Sequence, residues 1–322
     1  MTAVTETITA KVGFADYDHT RDLWNGRVAV PGLELECSAL DSPGEVFKRF
    51  AGGEWDAAEM SFATYVEMIG KGDDSLVALP VFLARAFRHG AIWVGEDFPE
   101  DPAELAGKRI GITSWVQTSS IFVRGLLASR YGVKIEDIQW YQGGLNHPDS
   151  TRRPPKVEPF DIIPVPHLPL DQMLTSGGID AIISSEPPAS AGGRGAPVKR
   201  LFSKWTFEEM AYTEDTGIYP IMHLLVARRD FLEAHPGAAD ALVQAFTEAK
   251  DRAVSRAKQI GVPRYPLPWT ASNMQRTTKF LGEDFWPYGL EANRTTLDVF
   301  LEYCAQQGVT PRQLSIEEVF AR

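Results

Sequence analysis

The 322-residue sequence has only two cysteines, Cys37 and Cys304, far apart and without a metal-like spacing. A disulfide framework is therefore not expected, and two thiols that stay reduced suit the cytosol. The opening MTAVTETITA lacks the basic and apolar regions of a secretory signal, and no apolar run reaches the ~18 residues of a membrane span. The expectation is a cytoplasmic protein with no membrane partner. Basic runs are missing as well: net charge is −11, which argues against nucleic acid. A small anion remains an acceptable ligand, because an acidic chain can still line a basic pocket. The six histidines, at 19, 89, 147, 167, 223 and 235, show no paired spacing, so no metal site is expected. A dinucleotide fingerprint, a phosphate loop, a Gly-x-Ser-x-Gly elbow and a nucleophilic cysteine signature are all absent.

What is present is an alternation of short apolar segments with helical ones. Strands are expected at Lys11–Ala15, Leu33–Cys37, Ala91–Gly95, Arg109–Thr113, Ile138–Gln142, Ile179–Ser184 and Ile221–Ala227. Ser42-Pro43-Gly44-Glu45 reads as a capping box with proline at the first helical position. Thr118–Tyr131 reads as a helix stopped by Gly132, Asp230 opens another, and a long one runs from Pro236 to near Gly261. The pattern predicts an α/β fold with mainly parallel sheets flanked by helices. Phe50–Ser61 also echoes Thr175–Ser184: Gly-Gly, then Asp-Ala entering a short strand that ends at serine. The echo implies two similar lobes, each turning the C-terminal end of its strand towards a shared crevice. Polar connectors at Glu96–Pro102 and Thr213–Gly217 place the lobe crossings. The first lobe is then 1–98 with 218–322, the second 99–217, and the central cleft between them is hinged at the crossings.

Four segments carry a resemblance: Ala15–Thr20 with Gly26-Arg27-Val28, Phe87–Ile92, Trp140–Gly144, and Pro220–His223. On these the chain resembles the 4,5-dihydroxyphthalate decarboxylase family. The resemblance covers nearly the whole length and implies a two-lobed, type II periplasmic-binding-protein-like fold. It implies non-oxidative loss of one carboxylate from a hydroxylated aromatic dicarboxylate, with no redox cofactor or electron-sink coenzyme, and leaves room for a homo-oligomer. A solute-binding protein for a small aromatic carboxylate or other organic anion is the alternative, since the architecture hosts both.

Position and chemistry single out the site candidates. The loop after the first strand offers His19 for proton transfer, Asp16 or Asp18 to orient it, Tyr17 for contact and Arg21 to grip a carboxylate. In an extended Arg85–His89 segment, Arg85 and His89 share a side with Phe87 while Arg88 faces away, which suits an anionic ring. Gln117 and Thr118 stand where a strand gives way to a helix N-terminus, a natural carboxylate site. Glu186, just past a strand end, is a second candidate base, and His223 a contact within an apolar strand. The long Gln142–Leu168 loop, with His147, Arg152, Arg153 and Lys156, reads as a lid. The chemistry requires a base at a phenol para to the departing carboxylate, an acid near the ring carbon, and cations for the carboxylate that stays. His19 with Asp16, or Glu186, would move protons; Arg21, Arg88, Gln117 and Thr118 would anchor.

Overall fold

The computed structural model describes residues 7–151, 153–259, 261–262 and 264–320; Arg152 lies outside them. The strands, in chain order, are β1 (Ile8–Ala15), β2 (Leu33–Leu40), β3 (Ala57–Ser61), β4 (Leu76–Arg85), β5 (Ile92–Gly95), β6 (Arg109–Ile112), β7 (Gln139–Gln142), β8 (Ile162–Pro164), β9 (Ala181–Ile183), β10 (Val198–Arg200) and β11 (Ile221–Arg228). Among the described residues they form two sheets, ordered β2-β1-β3-β11-β4 and β10-β5-β9-β6-β7-β8. Each is parallel at its heart, β2-β1-β3 in one and β9-β6-β7-β8 in the other. The strands next to the lobe crossings, β11 in one and β5 with β10 in the other, run antiparallel, so the sheets are mixed rather than mainly parallel. A strand that enters a lobe from its partner lacks the crossover helix that parallel pairing needs.

The internal echo is real and extends further than the sequence suggested. In β1, Lys11-Val12-Gly13 pairs with Ala57-Ala58 in the same register in which Arg109-Ile110-Gly111 of β6 pairs with Ala181-Ile182. Asp56 accepts from Lys11 N–H at 2.8 Å, and Asp180 accepts from Arg109 N–H at 2.9 Å. A Cβ on Gly13 would overlap the Trp55 ring, and one on Gly111 would crowd Ile179, the residue before each aspartate. Sheet order repeats too, with β8 added at one edge of the second sheet.

Helices α1 (Arg21–Trp24), α2 (Pro43–Ala51), α3 (Phe62–Gly70), α4 (Thr118–Tyr131), α5 (Leu170–Thr175), α6 (Trp205–Thr216), α7 (Arg229–Ala234), α8 (Ala238–Lys258), α9 (Thr270–Leu281), α10 (Arg294–Gln306) and α11 (Ile316–Val319) cover the sheets. The start of α2 differs from expectation: Ser42 is the N-cap and Pro43 follows, but the serine side chain makes no cap hydrogen bond. Gly132 closes α4 in the left-handed conformation (φ 66°), as read from the sequence.

Sheet pairing places the first crossing differently from the expectation. β5 already belongs to the second sheet, so the chain first crosses between Arg85 and Ile92, upstream of the polar Glu96–Pro102 segment. The short apolar Ile92–Gly95 run reads equally well in either lobe, and only pairing decides. Thr213–Thr216 is the last turn of α6, capped by Gly217 at φ 70°, and the return crossing follows it. Near these crossings α10 cements the lobes: Phe300 stacks on Phe62 of α3 at 4.4 Å and on Phe122 of α4 at 4.9 Å.

Candidate active site

Alternation along β3 puts Ala58 into the core between helices and Glu59 on the other face, where its carboxylate is fully buried. A buried charge must be held by donors. Glu59 Oε2 accepts Ala15 N–H at 2.8 Å; Oε1 accepts the Tyr17 hydroxyl at 2.6 Å and lies 2.6 Å from His223 Nδ1. With the carboxylate ionised, Nδ1–H donates and His223 Nε2 is left free, on a side chain 21% exposed. Burial, reinforced by the Glu59 charge, pushes the Tyr17 phenol far above its ordinary range, so it stays a donor. The imidazole of His19 stacks on Tyr17 at 5.0 Å and leans on Trp286 at 5.4 Å. Among the described residues its Nε2 is buried without a partner. Burial lowers the His19 pKa to about 4, so the ring is neutral at pH 7. From Trp286 the aromatic wall continues through Tyr219 (5.9 Å) to Phe87 (4.7 Å).

His223 pairs in register with Ser61, whose hydroxyl lies 3.2 Å from that of Thr118 at the start of α4. The dyad therefore sits where the lobes meet. On the second lobe, a pocket of about 550 Å³ is lined by Gln117, His147, Ser184 and Glu186 among others. Gln117 Oε1 accepts from the Thr113 hydroxyl at 2.9 Å and the Ser120 hydroxyl at 3.1 Å, which leaves its amide N–H groups for a ligand. The loop beyond β7 folds back tightly because Gly144 has no Cβ to meet the His147 carbonyl. At the first crossing, just before the 3-10 turn, stands Arg88. Its Nε donates to Met222 Sδ at 3.2 Å, and among the described residues it has no carboxylate at ion-pair distance. Burial lowers its pKa to about 10, leaving it cationic.

Among the described residues no cluster of metal-ligand type occurs, and no helix is long and apolar enough to cross a membrane.

The 4,5-dihydroxyphthalate decarboxylase of Comamonas testosteroni is 33% identical to this chain over 315 residues, covering 96% of this chain and 95% of that protein. This chain belongs to the 4,5-dihydroxyphthalate decarboxylase family. The decarboxylase of the same name from Pseudomonas putida is 33% identical over 184 residues, covering 55% of this chain and 70% of that protein. No protein-family profile matches. Solved structures supply the fold. The periplasmic aliphatic sulphonate binding protein of Escherichia coli covers 98% of the chain with a TM-score of 0.52 at 16% identity, 92% of its own length being matched. A ligand-binding component of an ABC-type import system from Staphylococcus aureus matches over 97% of both chains, with a TM-score of 0.52 at 13% identity. The fold is the two-lobed α/β architecture of periplasmic binding proteins.

In this family member the sequence-predicted residues scatter. Tyr17, His19 and His223 come together around Glu59, and Gln117 meets Glu186 across the second-lobe pocket. Asp16 and Arg21 are exposed. Asp18, the other proposed partner of the imidazole, is taken by the Tyr265 hydroxyl at 2.6 Å, and Arg256 donates to its backbone carbonyl at 3.3 Å. The carboxylate brought against Tyr17 and His223 is instead Glu59, from the next parallel strand. Thr118 is spent on the lobe contact, accepting Ala63 N–H at 3.0 Å. Arg85 and Phe87 both meet the Tyr219 ring, at 5.3 and 4.7 Å, but His89 parts from them, because β4 ends at Arg85 and a 3-10 turn starts at His89. Arg85 is buried and donates to the carbonyls of Tyr219 (3.1 Å) and Pro287 (2.8 Å) and to the Asn293 amide oxygen, which makes it a girder. His89 turns into the second lobe between Phe202 and Tyr212. Glu59 was missed, although its signal was present: a lone carboxylate inside the short apolar strand Ala57-Ala58-Glu59-Met60.

Proposed function

We propose that this protein is a carboxy-lyase that releases one carboxylate as CO₂ from a hydroxylated aromatic dicarboxylate such as 4,5-dihydroxyphthalate. The observation that carries the reading is the buried Glu59 carboxylate bound to Nδ1 of a His223 that stays partly open to the cleft. The near full-length likeness to a protein of that name supports it.

His223 Nε2 takes the proton of the phenol para to the departing carboxylate, and Glu59 stabilises the imidazolium. Electron density pushed through the ring makes the carbon bearing that carboxylate basic enough to be protonated. The carbon–carbon bond then breaks, its electron pair stays on the ring, and CO₂ leaves neutral. Neutral His19 offers its free Nε2 to the second hydroxyl while its ring continues the aromatic wall. Arg88 and the Gln117 amide at the α4 N-terminus hold the carboxylate that remains. The facing wall supplies the acid, with Glu186 and His147 the groups there that can carry a proton. Asp16 and Arg21 take no step. The crossings around 86–91 and 217–220 serve as the hinge.

The rival reading, a solute-binding protein, uses the same anion grips but gives the Glu59–His223 pair no task. Incubation of the protein with 4,5-dihydroxyphthalate, following CO₂ and the ring product, separates the two. Turnover that disappears in His223→Gln is the expected result. Binding without turnover would make the chain a receptor.

A further inference from the structure

Among the described residues, the wall of the second-lobe pocket around Gln117 has no lysine or arginine; its ionisable lining is Asp149, Glu186 and His147. Part of the positive potential that a carboxylate there would feel comes from the N-terminus of α4. A second source lies behind that terminus. Arg124, in the second turn of α4, is fully buried, and its side chain runs back along the helix towards its start. Nη2 donates to the Trp115 carbonyl at 2.7 Å, and Nε donates at 2.6 Å to Oε1 of Gln307, just past α10. The guanidinium lies over the Trp115 ring, 3.9 Å from its centroid. Nη1 has no partner, and no carboxylate stands at ion-pair distance, among the described residues. The titratable group that acts on it is the Cys304 thiol, which burial keeps neutral. Burial lowers the Arg124 pKa to about 9, which leaves a cation at pH 7.

A buried cation held only by neutral groups is costly, and packing alone does not call for one. Its neighbour Trp115 is pinned as well: the backbone N–H donates to Gln142 Oε1 at 2.7 Å, and the indole N–H donates to the Gln307 carbonyl at 3.0 Å. Gln117 stands two residues beyond Trp115, so chain geometry alone keeps the guanidinium within about 10 Å of the Gln117 Cα. Trp115 and Thr118, on either side of Gln117, are buried, so little water screens a charge over that distance. We propose that Arg124 is a specificity-determining residue of the carboxylate site: without touching the ligand, its uncompensated charge favours an anion at the Gln117 pocket. The inference deepens the decarboxylase reading, on which it rests for the ligand's identity: the anion is the carboxylate that the ring retains.

Gln307→Glu separates this role from a structural one. It sets a carboxylate against the guanidinium where the amide oxygen now stands, cancelling the charge while keeping the contact. The readout is the ratio of two affinities measured by calorimetry. One is for 3,4-dihydroxybenzoate, which carries the retained carboxylate, and the other for catechol, which carries none. In Gln307→Glu the ratio should fall about tenfold, the effect of one charge acting over about 10 Å of protein interior, while the affinity for catechol holds. A residue that merely ties α4 to the chain beyond α10 would gain from the new ion pair and leave the ratio alone. The variant also gives up the Nε2–H donation to the Ile121 carbonyl at 3.0 Å, so Arg124→Met serves as the second test. It should lower the ratio equally, and Arg124→Lys, which keeps the charge, should restore most of it. A ratio unchanged in either neutralised variant would overturn the proposal, as would a parent that binds the two ligands equally or binds neither. Failure of the parent to turn over 4,5-dihydroxyphthalate would instead refute the decarboxylase reading, and the ratio, a binding measurement, would still be read.

Discussion

Glu59→Gln tests the proposed chemistry most sharply. The carboxylate takes three hydrogen bonds, from Ala15 N–H, the Tyr17 hydroxyl and His223 Nδ1. An amide of the same shape can accept at one end only. If its oxygen stays with Ala15, its N–H₂ faces Tyr17 and His223; Tyr17 can turn its hydroxyl away, and His223 can accept at Nδ1 only by moving its proton to Nε2. That tautomer cannot take a proton from the phenol. Loss of general-base catalysis should lower kcat by about 10²–10⁴-fold, equivalent to ~2.7–5.5 kcal/mol. Stability responds differently. Charge-assisted hydrogen bonds worth ~1.5–3 kcal/mol each weaken to neutral ones, whereas the desolvation penalty of a buried carboxylate, several kcal/mol, is relieved. These oppose each other, so unfolding should shift by no more than about 2 kcal/mol in either direction. Single-turnover CO₂ release alongside urea unfolding separates the effects. A variant with kcat within about threefold of the parent would refute the dyad, as would a loss of activity that merely tracks loss of fold.

Further expectations follow from the same geometry. Arg88→Gln should raise KM for the dicarboxylate by ~10–100-fold with a smaller effect on kcat, since a charged hydrogen bond to a carboxylate contributes ~1.5–3 kcal/mol; steady-state kinetics checks it. Burial lowers the His89 pKa to about 4, below the ~6.5 of the unfolded chain. The unfolded state therefore binds the proton first, and stability present above pH 6.5 drains as pH falls towards 4, by about 2 kcal/mol at pH 5. His89→Phe should lose less between pH 7 and pH 5 in urea titrations. Glu209 has the opposite sign: burial raises its pKa to about 7, so its contribution is complete below about pH 4.5 and is lost as pH rises through 7. Glu209→Gln should flatten that alkaline decline. Thr118→Val strands the buried Ala63 N–H and should cost ~1–3 kcal/mol in denaturant unfolding.

The legible part of the fold was the part written in local pattern. Strands such as β1 and β6, the α4 cap at Gly132 and the paired turns that run from Gly-Gly to Asp-Ala all express backbone preferences that neighbouring residues dictate. What could not be read locally depends on pairing between distant segments. Ile92–Gly95 has the same composition whichever sheet it joins, and only its antiparallel pairing with Ala181–Ile183 assigns it to the second lobe. The site divides the same way. Tyr17, His19 and Gln117 were visible because they stand at strand ends, where open sheets expose their loops. Arg85 and Thr118 also stand there, but packing consumed their polar atoms before any ligand could use them. Glu59 escaped because its importance lies in its burial, and burial follows from β1 and β11 closing on either side of β3.

The duplicated lobes explain why the chemistry is lopsided. Shared register aligns Ala57-Ala58-Glu59 with Ala181-Ile182-Ile183. Where the first lobe buries the Glu59 carboxylate, the second therefore buries the apolar Ile183. The second lobe keeps what suits a ligand-holding half: hydroxyls around Gln117, a helix N-terminus and a polar pocket. In the first, one carboxylate in a strand is flanked by Tyr17 from β1's loop and His223 from β11, the pair to which the proposed function gives the proton transfer. A binding protein of this architecture needs two walls that grip. Turning one wall into a catalyst takes a single buried acid and a histidine it can orient, provided the strand that crosses back between the lobes delivers that histidine. β11 is that strand, so in the proposed reading the reacting centre lies where the lobes join, beside the Ser61–Thr118 contact.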